Sequence, residues 1–67
     1  MAEFTISLKA ARVNTEMSRG EVAEKIGVSE SSISNWELGR CKVDAIKLRA
    51  LSEVYKIPME FLRLPNG

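Results

Sequence analysis

Cys41 is the only cysteine of a 67-residue chain that contains no histidine. A chain this short buries only about 60% of the surface its unfolded form exposes, and domains of this size commonly lean on disulfides or metals. Neither support is open here. One cysteine closes no internal disulfide, and without histidine the usual zinc site of nitrogen and sulfur ligands cannot be assembled. The fold must rest on packing and local backbone chemistry, as expected of a cytoplasmic protein. The same absences remove Ser-His and Cys-His nucleophiles, so the chain is not expected to be an enzyme, and no cofactor or metal is implied. No apolar run approaches the roughly 18 residues of a membrane span, and no leader is expected, so a membrane is not a predicted partner. Nothing points to a small-molecule ligand.

The prolines are Pro58 and Pro65, so only glycines and capping residues punctuate the first 57 positions. Apolar residues recur at helical spacing, and no stretch of four or more alternates. The spacing predicts five short helices. The first runs from about Thr5 to Val13, with Leu8 and Ala11 on one face. Ser18-Arg19-Gly20-Glu21 has the form of a capping box, behind which Val22, Ala23 and Ile26 form an apolar stripe that Gly27 ends. Met17 can staple onto Val22. Ser29 can cap a third helix through Leu38, with Ile33, Trp36 and Glu37 inward and Gly39 as its stop. Asp44 can cap a fourth, whose Ala45, Leu48, Leu51, Ser52 and Tyr55 are expected to face the core. Pro58 suits the first turn of a final short helix, with Phe61 and Leu62 closing the core.

Two short helices separated by Gly27-Val28-Ser29 form a helix-turn-helix pattern. The tight turn needs a residue that tolerates positive φ, which Gly27 supplies, and small Ala23 permits close approach of the next helix. The exposed face of that next helix carries Glu30, Ser31, Ser32, Ser34 and Asn35. Short polar side chains of this kind can reach base edges without filling the major groove.

The run from Ser18 to Arg40 resembles the helix-turn-helix of the phage repressor and Cro (XRE-type) family. Its most telling pieces are Ile26-Gly27-Val28-Ser29 and Ile33-Ser34-Asn35-Trp36-Glu37, and Arg12 and the segment from Leu51 to Leu62 match as well. The resemblance covers about residues 5 to 63. It implies an all-α, compact five-helix bundle of the phage-repressor DNA-binding type, with residues 1–4 as an arm, 5–63 as the domain and 64–67 as a tail or the start of a linker. It also implies sequence-specific binding of double-stranded DNA by a transcription regulator, usually a repressor, acting as a homodimer on a pseudo-palindromic operator.

Residue by residue, the resemblance implies base-facing roles for Glu30, Ser31, Ser32 and Asn35. It implies phosphate contacts for Arg19, Ser34, Arg40 and Lys42, and an internal salt bridge between Arg12 and Glu37. The charge distribution agrees. The net charge is only +1, and residues 1–29 hold four basic and four acidic side chains. Residues 39–49 hold Arg40, Lys42, Lys47 and Arg49 against Asp44 alone, an excess of +3 just after the proposed recognition helix.

The departures from the family pattern also carry expectations. Glu30 stands where an amide or basic residue is common. Its carboxylate would accept from cytosine N4 or adenine N6 and be repelled by phosphates, so it reads as a specificity element. Gly20 inside the second helix reads either as a close approach of backbone to DNA or as drift. Glu16 and Lys56 stand where the family often has glycine, so those two turns are expected to be built differently. Cys41 reads as a spectator, with a thiol switch as the other reading. Met59, Leu62 and Leu64 suit either core or a dimer surface. The rival function is a protein-interaction module, antitoxin or antirepressor-like, that keeps the fold with weak DNA binding.

Overall fold

The computed structural model describes residues 5–65. It contains four α-helices, α1 (Leu8–Asn14), α2 (Arg19–Ile26), α3 (Glu30–Leu38) and α4 (Ala45–Tyr55), and two very short strands, β1 (Ile6–Ser7) and β2 (Leu62–Arg63). The proposed arm at 1–4 and the last two residues of the proposed tail, 66–67, lie outside the described residues.

All four helices begin in the same way. Each start is capped by a side-chain oxygen that accepts from the backbone N–H three residues on: Ser7 from Ala10 (3.1 Å), Ser18 from Glu21 (3.1 Å), Ser29 from Ser32 (3.2 Å) and Asp44 from Lys47 (2.7 Å). At Ser18 the box is reciprocal, because the Glu21 carboxylate accepts from the Ser18 N–H at 2.7 Å. Each cap stabilises its helix by about 1 kcal/mol relative to alanine.

Past each helix end comes a left-handed residue, directly after α2, α3 and α4 and one place later after α1, followed by an N–H that donates back to a carbonyl five residues earlier. Gly27 (φ 76) and Gly39 (φ 79) fill that place after α2 and α3, with Val28 donating to Ala23 O and Arg40 to Asn35 O, both at 2.9 Å. Glu16 (φ 61) and Lys56 (φ 58) fill it after α1 and α4, with Met17 donating to Arg12 O at 3.4 Å and Ile57 to Ser52 O at 3.1 Å. The expectation that these two turns are built differently is therefore corrected at Lys56, which caps α4 as the glycines cap α2 and α3. After α1 the turn does differ, because Thr15 (φ -92) intervenes and its hydroxyl donates to Arg12 O at 2.8 Å. In both turns a residue with a Cβ accepts the left-handed conformation. After α4 the turn is reinforced by the Ser52 hydroxyl, which donates to Ile57 O at 2.6 Å. Lys56→Gly should relieve the strained dihedral and raise stability by roughly 0.5–1 kcal/mol, read as a higher midpoint in thermal unfolding. An unchanged or lower midpoint would mean that Lys56 is held there without strain.

The all-α, five-helix expectation is also corrected. After Pro58 the chain makes one 3-10 turn (Met59–Phe61) and then pairs as a strand. β1 and β2 run parallel, with Ile6 opposite Leu62 and Ser7 opposite Arg63. The pairing explains why α1 starts at Leu8 rather than Thr5: residues 6–7 are extended, and Ser7 caps the helix. Phe61 is 37% exposed and only Leu62 closes the core. Ala45 is exposed too, since the inward stripe of α4 runs through Leu48, Leu51 and Tyr55.

The core draws two buried residues from every helix: Leu8 and Ala11, Val22 and Ala23, Ile33 and Trp36, Leu51 and Tyr55. Met17, Ile26, Val28, Leu48 and Ile57 pack around them. Small Ala11 and Ala23 let α1 and α2 approach the bulky side chains of α3 and α4. No helix of the described residues is long and apolar enough to cross a membrane.

Candidate nucleic-acid interface

The placement of α3 is the central geometric fact of the surface. On its inner side Ile33 and Trp36 are buried, and Glu37 forms an ion pair with Arg12 of α1. The pair is two-pronged. Arg12 Nε donates to Glu37 Oε2 at 2.6 Å and Nη2 to Oε1 at 3.2 Å, while Nη1 donates to the Met17 carbonyl at 3.1 Å. The side chains are only 11% and 4% exposed. The hydrogen bonds to Glu37 raise the Arg12 pKa above its ordinary value, against the opposing effect of burial. One guanidinium thus joins α1, α3 and the turn before α2.

Tyr55 lies close to that pair. Burial first, and the negative Glu37 second, push its phenol up to about 12 from an ordinary value near 10. The folded state therefore keeps a proton that the unfolded chain gives up above pH 10. Stability should be insensitive to this group below pH 10 and fall by about 2 kcal/mol as pH rises to 12. Tyr55→Phe should flatten that decline in alkaline unfolding curves; an equal decline in the variant would move its origin elsewhere.

With the inner side fixed, the outer side of α3 follows from helical spacing. Ser34, Asn35 and Leu38 lie three, four and seven residues after Ser31, so the four share one face. Ser31 is exposed, Ser34 and Asn35 are half-exposed, and Leu38 is 60% exposed. Leu38 was not among the candidates drawn from the sequence, although its position seven residues after Ser31 places it on their face. Ser32 stands apart from them. Its hydroxyl lies 3.1 Å from Ser29 Oγ, and its N–H donates to the same atom, so its side chain is tied to the helix cap. Glu30 is exposed and leans back towards α2.

The candidate phosphate ligands lie in the neighbouring segments. Arg19 opens α2 and is exposed; Arg40 and Lys42 are exposed in the loop after α3. Arg19, Arg40 and Lys42 form no ion pair among the described residues. Asp44, the acidic residue in that basic stretch, is engaged in capping α4. The backbone N–H of Arg40 is bound to Asn35 O, so the loop begins in fixed register with α3. The exposed side of α3 thus carries short hydrogen-bonding groups, and the start of α2 and the loop after α3 carry exposed cations that form no ion pair among the described residues.

The family model described as helix-turn-helix matches residues 8–62. The chain belongs to the helix-turn-helix family. α2, the Gly27-Val28-Ser29 turn and α3 are the two helices and the turn of this helix-turn-helix domain, a module of DNA-binding transcription regulators. No curated protein and no solved structure matches the chain. The exposed thiol of Cys41 falls between the two loop cations of the domain.

Proposed function

We propose that residues 5–63 act as the DNA-binding domain of a transcriptional repressor that works in the cytoplasm. α3 enters the major groove, with Ser31, Ser32 and Asn35 presented to base edges, while Arg19, Ser34, Arg40 and Lys42 hold the flanking phosphates. Ser32 reaches bases only by leaving its bond to Ser29, so Ser31 and Asn35 carry more of the readout. Leu38 adds an apolar contact suited to a thymine methyl. The observation that carries this reading is a polar exposed α3 face together with exposed cations at the start of α2 and just after α3 that form no ion pair among the described residues. Such cations supply non-specific affinity, and the short polar groups between them supply discrimination. A homodimer, with the partly exposed Met59 and Leu64 at its contact, would place two α3 helices about 34 Å apart on a pseudo-palindromic operator.

Binding-site selection from random duplex DNA at near-physiological salt tests the reading. A two-fold symmetric motif is expected. A half-site alone would retain DNA recognition and remove the dimer. No enrichment by folded protein would favour the interaction-module alternative. On a selected site, Arg40→Ala should weaken binding uniformly across sequences and shallow the salt dependence by about one unit. An unaltered slope would remove Arg40 from the phosphate contacts.

A further inference from the structure

Gly20 and Glu30 meet across the two helices. A Cβ built at Gly20 would stand 3.5 Å from Glu30 Oε1, 3.9 Å from its carboxyl carbon and 3.9 Å from Ser18 Oγ. The carboxylate of the first residue of α3 thus lies over the first turn of α2, where aligned backbone dipoles favour a negative charge. No cation pairs with it among the described residues, so its oxygens stay available as acceptors.

We propose that Gly20 is a positioning residue for Glu30, and that the two together set base preference at one position of the DNA site. The inference rests on the DNA-binding reading above. A carboxylate only accepts hydrogen bonds. In the major groove it complements the amino groups of cytosine and adenine, and it opposes guanine O6 and N7 and thymine O4. Which base pair it can reach depends on where its stem leaves α3 and where its head rests. The bare backbone at Gly20 sets that resting place, because a long side chain there would occupy the space of the carboxylate. This gives the glycine a role that needs no direct contact with DNA.

The experiment compares motifs selected from random duplex DNA by the unmodified protein, Glu30→Gln, Gly20→Ala and Gly20→Gln, each shown to be folded by circular dichroism. Glu30→Gln, whose amide can also donate, should lose about tenfold of preference at one base-pair position per half-site. Gly20→Ala should select the unmodified motif, because its methyl group only reaches ordinary contact distance. Gly20→Gln should change the same position as Glu30→Gln and leave the others intact. A purely structural glycine would alter overall affinity and no single position. An unchanged motif for Gly20→Gln, or a change elsewhere, would overturn the proposal while leaving DNA recognition standing. If Gly20→Gln does not fold, Gly20→Ser replaces it and is held to the same position. Absence of any enriched motif for the unmodified protein would overturn both.

Discussion

Glu37→Ala should cost about 3–5 kcal/mol, a large share of the stability of a domain this small. The estimate follows from what remains after truncation. Arg12, with its side chain 11% exposed, would keep its charge and its bond to the Met17 carbonyl but lose both carboxylate oxygens. Removing one member of a buried pair carries a penalty of that order, because the remaining charge stays out of water. Domains of this size have roughly 3–10 kcal/mol in total. Urea unfolding followed by far-ultraviolet circular dichroism checks the value. A loss below about 1 kcal/mol would place the pair with ordinary surface bridges. The double variant Arg12→Met with Glu37→Leu should recover most of the stability, since two apolar side chains leave no stranded charge. If the double variant is as unstable as the single one, the third bond, to Met17 O, is what matters.

Trp36→Ala should be of similar size, about 3–5 kcal/mol. Trp36 is the largest side chain of the core, is 9% exposed, and lies one residue before Glu37 on the inner side of α3. Its loss opens a void bordered by side chains already held by caps at both ends of their helices, so little collapse can refill it. Trp36→Phe keeps most of the volume and should cost less than half as much. The comparison must be made by circular dichroism, since the chain has a single tryptophan. Equal costs for Ala and Phe would show that the ring edge, rather than the filled volume, sets stability. In both experiments DNA affinity should fall in step with the folded fraction, because neither residue faces outward.

The features legible in the sequence are those written into neighbouring residues. Ser18, Ser29 and Asp44 announce three helix starts, and Gly27 and Gly39 announce two stops, because the chemistry of capping lies within a few positions. Ile33 and Trp36 follow from helical spacing. What was not legible depends on partners far away in the chain. The β1–β2 pair joins residues 56 positions apart through two residues on each side, too short for any alternation to register. That pairing converted the expected fifth helix into a single 3-10 turn and shifted the start of α1. Lys56 departs from expectation for another reason: residue type is a poor guide where a non-glycine is held in the left-handed conformation by surrounding bonds. In the candidate site, Leu38 was overlooked because apolar residues are habitually assigned inward. The turn of Glu30 towards Gly20 depends on side-chain geometry that spacing alone does not fix.

The parallel β1–β2 pair has a mechanical consequence. Because both strands run in the same direction, the chain before Ile6 and the chain after Arg63 depart from opposite ends of the pair. A pull between those two ends would act along the strands and load their slanted hydrogen bonds together, in shear, rather than peel them one at a time. Tension between a segment attached at one end and a segment attached at the other would therefore meet this clasp before it reached α2 and α3. α2 and α3 would be insulated from that strain.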